Sequence, residues 1–422
     1  MAMMRARTLH IIGAGLSGLT TAAGVARKGE DVVIHEASAH AGGRCRSYFE
    51  PALDMMIDNG NHLVLSGNRA TMHLLDLVGS RGELMGPEEA SFPFVDLDSG
   101  EHWTLKPNIG PVPWWVLAKA RRVPGSSPFD YLAGGRLAGR KHGTTVGDVI
   151  SEDHPLYHRM WEPLLISALN TDPQEACAQM AWAVMRETLA RGGQACRPLI
   201  AQRGLSRAFI DPVIDFVEGR GVEVKFNHRL KAISFAGERV SELDFGDEKI
   251  SLDERDAVVL AVPPWVAQDL VPDITTPTAF RSIVNGHFKT APAQDQPPIL
   301  GVVNGAVQWI FAFEQHVSIT ISAAETFLDR PRQELAEILW ADVKAATGLR
   351  GDLPAWQIIK EKRATFACTP GEVAKRPPQT TRWKNLVLAG DYVDTSLPAT
   401  IEGAVRSGFA AARLVRGKTI NF

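Results

Sequence analysis

A glycine-rich turn between an apolar strand and a helix constrains the fold more than any other feature of the chain. Residues 9–12 form a short apolar run, as in a buried parallel strand, and lead into the sequence GAGLSG at 13–18. A helical stretch follows at 19–28, Gly29 ends it, and residues 31–35 form a second apolar strand. This strand–turn–helix–strand order is the context in which a G-x-G-x-x-G match predicts dinucleotide binding. We therefore expect an α/β domain of the Rossmann type.

Each residue of the turn has a physical role in such a site. Gly13 permits the tight turn, Gly15 lets the backbone approach a pyrophosphate, and Gly18 lets the helix pack closely on the strands. Leu16 and Ser17 lead into the helix, whose N-terminus presents free N–H groups and partial positive charge to the phosphates. All five residues are predicted to bind the cofactor.

A carboxylate is expected where the second strand ends. Glu36 lies 21 residues after Gly15, which is about where a carboxylate meets a ribose hydroxyl in dinucleotide sites. Ala37 follows it directly and is predicted to line the same site.

The segment Gly42-Gly43-Arg44 lies just beyond Glu36. Two glycines and an arginine beside the pyrophosphate would add backbone donors and a forked cation. In this segment the chain resembles the flavin amine oxidase and phytoene desaturase superfamily, in which a GGR sequence follows the second strand. The resemblance implies FAD, whereas the glycine turn alone would accept a nicotinamide or a flavin dinucleotide.

Composition excludes several classes of protein. With 422 residues, two or three domains are expected, and 45% apolar residues suffice for a substantial core. A net charge of −3 gives no reason to expect a nucleic-acid partner. Four scattered cysteines without a C-x-x-C pair favour free thiols over disulfides or a metal site.

Targeting signals are also weak. The first strand begins within about eight residues of Met1, which leaves no room for a signal peptide, and no apolar run reaches the roughly 18 residues of a membrane span. We expect a cytoplasmic protein, either free or bound peripherally to the inner face of the cytoplasmic membrane.

The domains are predicted to be interlaced. Residues 1–78, 205–265 and 375–422 show α/β alternation and are assigned to a discontinuous FAD-binding domain. Residues 79–204 and 266–374 are assigned to a substrate-binding domain of mixed sheet and helices, whose helical part is about 107–204. The fold class is therefore α/β, with a Rossmann-type domain and a second domain built from two insertions.

The C-terminal segment completes the predicted cofactor site. A strand at 385–388 ends at Gly390 and Asp391, where Asp391 could accept a hydrogen bond from a ribityl hydroxyl. The last helix opens at Thr400, Ile401 and Glu402, and its first amides would point at the flavin ring, where their positive dipole stabilises the reduced anion. The other predicted contacts are Gly60, Asn61, His62, Leu230, Val262 and Ala404.

Five motifs narrow the resemblance. DNGNHL at 58–63, ALNTDPQEA at 168–176, LAVPPW at 260–265, EKRATFA at 361–367 and LPATIEGAVRSG at 397–408 are similar to the hydroxysqualene dehydroxylases, also called squalene-associated FAD-dependent desaturases. The resemblance implies reduction of hydroxysqualene, a long-chain prenyl substrate, to squalene in bacterial hopanoid synthesis. An external electron donor, which the sequence does not identify, would reduce the flavin. No cysteine stands beside the C-terminal flavin turn, so non-covalent FAD is expected.

Three residues are candidates for the chemistry. The hydroxyl of such a substrate is allylic, so its loss as water leaves a delocalised cation that a flavin hydride can quench, provided that a proton reaches the leaving oxygen. Asp58 or His62 could supply or orient that proton, and His62 is preferred because an ordinary histidine pKa lies near neutrality. Asn170 could hold the hydroxyl, although it could instead cap a helix.

The sequence is also compared with three other functions. A flavin amine oxidase is disfavoured because Thr400 and Asn285 stand where those enzymes usually carry an aromatic residue and a lysine. A carotenoid-type desaturase or isomerase would share the fold, because electron flow depends on the available donor. A third alternative is a non-catalytic flavoprotein that escorts a prenyl-lipid enzyme to the membrane. It depends on a predicted helix at 111–122, where Trp114, Trp115 and a basic end would suit a membrane interface. The shortness of the segment slightly favours a core helix instead.

Overall fold

The computed structural model describes residues 7–27 and 31–417. Along the described chain the α-helices are α1 Leu16–Val25, α2 Arg69–Val78, α3 Glu162–Leu169, α4 Ala178–Glu187, α5 Asp211–Glu218, α6 Pro264–Leu270, α7 Arg332–Thr347, α8 Pro370–Ala374 and α9 Ile401–Val415. The strands are β1 Thr8–Ile12, β2 Asp31–His35, β3 Ser47–Glu50, β4 Met55–Asp58, β5 Leu63–Leu65, β6 Leu84–Met85, β7 Phe92–Asp96, β8 His102–Leu105, β9 Pro198–Ala201, β10 Glu223–Lys225, β11 Ala232–Ala236, β12 Arg239–Asp244, β13 Lys249–Ser251, β14 Ala257–Leu260, β15 Phe280–Phe288, β16 Ile299–Val303, β17 Trp309–Ala312, β18 Val317–Ser322, β19 Trp356–Phe366 and β20 Leu386–Leu388.

A five-stranded parallel sheet organises the first half of the site. Its order is β10-β2-β1-β14-β20, and every neighbouring pair is parallel. The last residue of β1, Ile12, pairs with His35 on one side and with Leu260 on the other. The strands therefore end together at one edge. The glycine turn, Glu36, Val262 and Asp391 all follow strands that end there, which is where ligands bind in open α/β sheets.

Helices α1 and α9 pack against each other with their backbones in contact. A Cβ atom on Gly408 of α9 would lie 2.5 Å from the carbonyl oxygen of Ser17 and 2.6 Å from Cβ of Thr20, both on α1. Because no larger side chain fits, the two helices approach more closely than side-chain packing would allow. This contact fixes the start of α9 relative to the glycine turn.

A seven-stranded sheet forms the opposite wall of the site. Its order is β19-β15-β18-β17-β16-β7-β8, antiparallel except between β16 and β7. Helix α7 covers one face, where Leu339 and Trp340 join a core with Ile319. On the other face, Phe94 and Trp309 pack with residues of the helical part of the chain, among them Trp161.

Several elements depart from the predictions. The sequence predicts a helix at 332–347, and α7 lies at those residues. The long strands β15 and β19 are not predicted from the sequence. The predicted helix at 111–122 is wrong, because the chain there forms only two short 3-10 turns, Trp114–Leu117 and Lys119–Arg121. The Asn108 side chain holds this segment as a loop by bonding Gly110, Val112 and Trp115. The first helix, α1, begins at Leu16, three residues before the predicted start, and its last described helical residue is Val25. The predicted end, at Lys28 and Gly29, lies outside the described residues.

Within the described ranges, no helix combines the length and the apolar character that crossing a bilayer requires.

Candidate functional site

One cavity of about 830 Å³ lies between the two sheets. Its polar end follows the carboxyl edge of the parallel sheet and is lined by every predicted cofactor residue except Gly18. Its other end is apolar and largely aromatic. The side chains lining that end include Phe92, Leu105, Trp115, Met160, Trp161, Leu164, Leu165, Trp309 and Phe311.

The glycine turn opens onto the polar end. Gly13 has a φ of +107°, and a Cβ atom there would lie 2.4 Å from the carbonyl oxygen of Ala261. A Cβ atom on Gly15 would meet nothing within 4 Å, so at this position bare backbone faces open space. A Cβ atom on Gly18 would lie 2.0 Å from the Gly13 carbonyl oxygen, so this glycine lets the helix pack closely on the turn. Gly18 does not line the cavity, contrary to its prediction as a cofactor contact. The open cradle at Gly15 fits a pyrophosphate.

The carboxylate of Glu36 joins the end of β2 to the glycine turn. It accepts hydrogen bonds from the amide of Ala14 at 2.7 Å and from the amide and hydroxyl of Ser38 at 2.9 and 2.8 Å. A carboxylate has about four acceptor positions, so one remains for a ribose hydroxyl.

Arg44 and Asp391 form an ion pair in the wall of the cavity. Nη2 of Arg44 lies 2.8 Å from both carboxylate oxygens of Asp391, and its Nη1 donates to the carbonyl oxygen of Ala364. Asp391 raises the pKa of Arg44 above its ordinary value. The predicted phosphate-binding arginine and the predicted ribityl-binding carboxylate are therefore one unit that links the GGR segment to the end of β20.

Helix α9 presents its N-terminus to the cavity. Thr400 is its N-cap residue and accepts a hydrogen bond from the amide of Gly403 at 3.0 Å. Amides of the first helical turn have no acceptor one turn earlier, which leaves those of Ile401 and Glu402 for a ligand. The carboxylate of Glu402 points elsewhere and caps α2 by accepting from the amides of Ala70 and Thr71.

His62 lines the cavity, but its electrostatics differ from the expectation. Burial, followed by the positive charge of Arg44, lowers the pKa of His62 from 6.5 to about 4. The ring is therefore neutral near pH 7. The preference for His62 on the ground of an ordinary pKa is corrected, although its position in the cavity keeps it a candidate.

Asp58 does not line the cavity, contrary to its prediction as a proton donor. Its Oδ1 atom accepts from the Ser47 hydroxyl at 2.6 Å and from the Leu205 amide at 2.9 Å. Burial outweighs these two bonds and raises the pKa of Asp58 from 3.8 to about 6. The side chain holds the β3–β4 hairpin to the segment that begins at Leu205.

Asn170 lines the cavity, yet both ends of its amide are engaged. It ends α3 in the left-handed conformation, with φ +47°. Its Oδ1 accepts from the amide of Ala323 at 2.7 Å, and its Nδ2 donates to the Thr365 hydroxyl at 3.0 Å. The backbone of Asn170 therefore caps the C-terminus of α3, while its side chain ties that end to Ala323 and Thr365 and has its amide oxygen and nitrogen already engaged.

A polar network that the motifs do not predict lies near His62. Asn285 of β15 accepts at Oδ1 from the Thr320 hydroxyl at 2.7 Å and from the Asn61 amide at 3.4 Å. Asn61 Nδ2 donates to the Thr320 hydroxyl and to the Ile319 carbonyl oxygen, both at 3.1 Å. Asn61 Oδ1 is buried and has no hydrogen-bond partner among the described residues. The sequence analysis singles out Asn61 and Asn285 separately, but no sequence motif predicts that they are linked.

The thiol of Cys45 lies at the cavity and is held in its protonated form. Cys45 lines the cavity, and burial, reinforced by Asp58, raises the pKa of its thiol. A protonated thiol is a poor nucleophile. The four cysteines, all within the described ranges, are buried and free.

Comparison with known proteins gives consistent matches. The family model described as flavin containing amine oxidoreductase matches residues 16–416. A hydroxysqualene dehydroxylase from Sinorhizobium fredii is 48% identical over 98% of this chain and 99% of its own length. Another, from Rhodopseudomonas palustris, is 48% identical over 97% and 98%. The solved structure of cyclohexylamine oxidase from Brevibacterium oxydans superposes with a TM-score of 0.67 at 16% identity, covering 98% of this chain and 99% of that one, and this likeness supports the fold.

The pKa of Asp58 predicts a pH-dependent stability. The folded chain binds a proton at Asp58 more tightly than the unfolded chain does, so stability falls as the pH rises from about 4 to about 6. Asp58→Asn keeps an oxygen acceptor for Ser47 and Leu205 but removes the buried charge. Its free energy of unfolding at pH 8 should exceed that of the wild type by roughly 1–3 kcal/mol.

Chemical denaturation at several pH values measures this difference. The exposed Asp247 serves as a matched control, and Asp247→Asn should leave the pH profile unchanged. Because Asp58 is outside the cavity, Asp58→Asn should also keep its turnover. This placement of Asp58 is contradicted if Asp58→Asn has the same dependence of stability on pH as the wild type. It is also contradicted if Asp58→Asn folds stably but loses turnover.

Proposed function

The chain belongs to the hydroxysqualene dehydroxylase family of flavin-containing amine oxidoreductases, and we propose that it reduces hydroxysqualene to squalene with FAD as cofactor. The observation that carries the proposal is near-50% identity to such enzymes along almost the whole chain, in a protein whose cavity joins a dinucleotide-type edge to an aromatic pocket. Squalene and hopanoid synthesis is the corresponding pathway. Amine oxidation and polyene desaturation lack comparable support.

The cavity residues fit a non-covalently held FAD. The open backbone at Gly15, the spare acceptor position of Glu36 and the first amides of α9 lie along one edge and can meet a pyrophosphate, a ribose and a ring edge. The protonated, buried thiol of Cys45 supports a non-covalent mode of binding. We assign this role to the discontinuous domain of residues 1–78, 205–265 and 375–422, and substrate binding to the two insertions.

The reaction needs a dry pocket, one proton and two electrons. A reduced flavin held by the glycine turn, Glu36 and the first amides of α9 would supply the hydride, and an external donor would have to restore its electrons after each turnover. The C–O bond breaks, the hydroxyl takes up a proton and departs as water, and the carbon receives the hydride. The aromatic wall, with Trp161 and Trp309, excludes water from the allylic cation. We propose that the proton reaches the leaving oxygen through His62. Because its ring is neutral near pH 7, His62 would relay a proton and would not hold one in advance.

An anaerobic single-turnover assay tests the function. Protein loaded with reduced FAD is mixed with hydroxysqualene, and the products are identified by mass spectrometry. We expect squalene to appear in step with flavin oxidation. Unchanged hydroxysqualene, together with oxidation of a polyamine or phytoene by the oxidised protein, would overturn the proposal.

His62→Gln tests the proton route in the same assay. Loss of general acid catalysis should slow turnover about a hundredfold while FAD stays bound. The exposed His102 provides the control, and His102→Gln should keep the wild-type rate. The wild-type rate should show no break near the ordinary histidine pKa of about 6.5. Full turnover in FAD-loaded His62→Gln rules out the assignment.

Residues 106–142, which we call the basic apolar segment, suit a membrane surface. Within this segment the stretch around Trp115 packs against the stretch around Tyr131, and the centroids of these two rings lie 5.0 Å apart. It carries seven lysine and arginine residues but one acidic residue, Asp130, in a chain of net charge −3. Six of its large apolar side chains are more than half exposed, namely Ile109, Val112, Trp114, Leu117, Phe129 and Leu132.

The inner side of this segment belongs to the substrate cavity. Leu105 immediately before it, and Pro107 and Trp115 within it, line the apolar end. We therefore propose that the segment docks on a bilayer containing anionic lipids, from which a prenyl substrate would enter the cavity. Exposed apolar side chains would insert among the headgroups, and the cations would meet the lipid phosphates.

Co-sedimentation with phosphatidylcholine vesicles, with and without phosphatidylglycerol, tests the docking. We expect binding that requires phosphatidylglycerol and weakens at least about tenfold in Leu117→Asp/Phe129→Asp. Met85 is a comparably exposed apolar residue elsewhere, and Met85→Asp should bind as the wild type does. Equal weakening in both variants, or no wild-type binding, would refute this surface. Vesicle binding without turnover would favour the escort function.

A further inference from the structure

Asn61 and Asn285, which we call the amide pair, stand out among the polar groups of the cavity. Asn170, another polar side chain of the cavity, is engaged with Ala323 and Thr365. Trp161 Nε1 also lines the cavity and is buried without a partner among the described residues, but an indole N–H can only donate. In the amide pair, Oδ1 of Asn61 is buried and has no partner among the described residues. A buried polar atom left without a hydrogen bond costs free energy, so such an atom in a ligand cavity indicates a group that the ligand supplies.

Main-chain contacts fix which way each amide points. Nδ2 of Asn61 lies 3.1 Å from the carbonyl oxygen of Ile319, which can only accept, so this atom must be the nitrogen. The atom of Asn285 that faces the Asn61 amide must be its oxygen, because a main-chain N–H can only donate. The Thr320 hydroxyl links them by accepting from Asn61 and donating to Asn285.

Each residue of the amide pair then has one hydrogen-bonding group left for a ligand. Asn61 offers an acceptor, Oδ1, and Asn285 offers a donor, Nδ2. Gly60 leaves room over that donor, because a Cβ atom at position 60 would lie 3.0 Å from Nδ2 of Asn285. All three residues line the cavity beside His62.

We propose that the amide pair binds the hydroxyl oxygen of the prenyl alcohol, an inference that rests on the proposed function. A hydroxyl group both donates and accepts, so it satisfies Oδ1 of Asn61 and Nδ2 of Asn285 together. The hydrocarbon product has neither capacity. The subsite therefore selects the alcohol from a membrane that also contains the hydrocarbon, and it weakens binding of the product once the oxygen has gone.

The subsite also fits the bond changes of the reaction. When the C–O bond breaks, the oxygen takes up one proton and leaves as water, while the carbon receives the hydride. Water keeps the donor and acceptor functions of the hydroxyl and adds a second donor. The amide pair can thus hold the oxygen before and after the bond breaks.

A competition measurement without turnover tests the subsite. Oxidised, FAD-loaded protein is equilibrated with equal amounts of hydroxysqualene and squalene in detergent micelles, and bound lipid is quantified by mass spectrometry. The wild type should favour the alcohol by roughly tenfold to hundredfold, as expected for two hydrogen bonds. Asn285→Leu and Thr320→Val should each reduce this preference to near unity while total bound lipid stays comparable.

Ser318 provides the matched control. It lies two residues from Thr320 on the same face of β18, is buried, and bonds His287 rather than lining the cavity. Ser318→Ala should keep the wild-type preference. Asn285→Asp, which preserves shape but replaces the donor with an acceptor, serves as a second variant should Asn285→Leu fail to fold.

The outcomes separate this inference from the proposed function. A wild type that yields squalene in the anaerobic assay, with a preference for the alcohol that survives in Asn285→Leu, Asn285→Asp and Thr320→Val, overturns the amide pair alone. A wild type that neither yields squalene nor prefers the alcohol overturns both.

Discussion

The site depends on parallel strands that end at the same edge of one sheet. Because β1, β2, β14 and β20 end together, residues from the start, middle and end of the chain meet around one cavity. The close contact of α1 with α9 at Gly408 then sets the distance between the glycine turn and the last helix. A dinucleotide needs such a rigid frame, since its two ends are recognised by main-chain groups that cannot adjust independently.

Electrostatics divide the cavity into two environments. At the polar end, Arg44 and Asp391 compensate each other, so neither is left as an unpaired charge in the wall. The positive charge of Arg44 also favours the neutral form of His62. At the aromatic end, a hydrocarbon chain can lie without competing water. The amide pair lines the same cavity and is proposed to meet the single polar group of a prenyl alcohol.

Local sequence patterns predict those parts of the fold whose physics is local. The glycine turn, the strands beside it and α7 depend on residues within about 20 positions, and the structure has them where the sequence predicts them. The strand β19 is not predicted because its charged residues at 360–363 are typical of a solvent-exposed loop. In the structure this segment is a strand because it pairs with β15. Residues 111–122 do not form the predicted helix because the side chain of Asn108, which precedes that range, hydrogen-bonds the segment into a loop.

Side-chain roles in the site are harder to predict because they depend on contacts with residues far away in the sequence. Asp58 turns away from the cavity toward Leu205, and Asn170 is held by Ala323, both partners being well over 100 residues away. The pKa of His62 depends on burial, which no sequence motif records. Asn61 could be predicted as a cavity residue from its motif, whereas its link to Asn285 arises only when β15 and β18 pair.

The central claim is that FAD lies between the glycine turn and the start of α9, held without a covalent bond. The visible spectrum of the purified protein, before and after acid precipitation, tests it most directly. The account predicts a flavin spectrum in the native protein, release of FAD into the acid supernatant, and recovery of the spectrum when the stripped protein is given FAD but not FMN. A colourless protein that binds no added FAD would contradict it, and flavin retained in the acid pellet would contradict the non-covalent attachment.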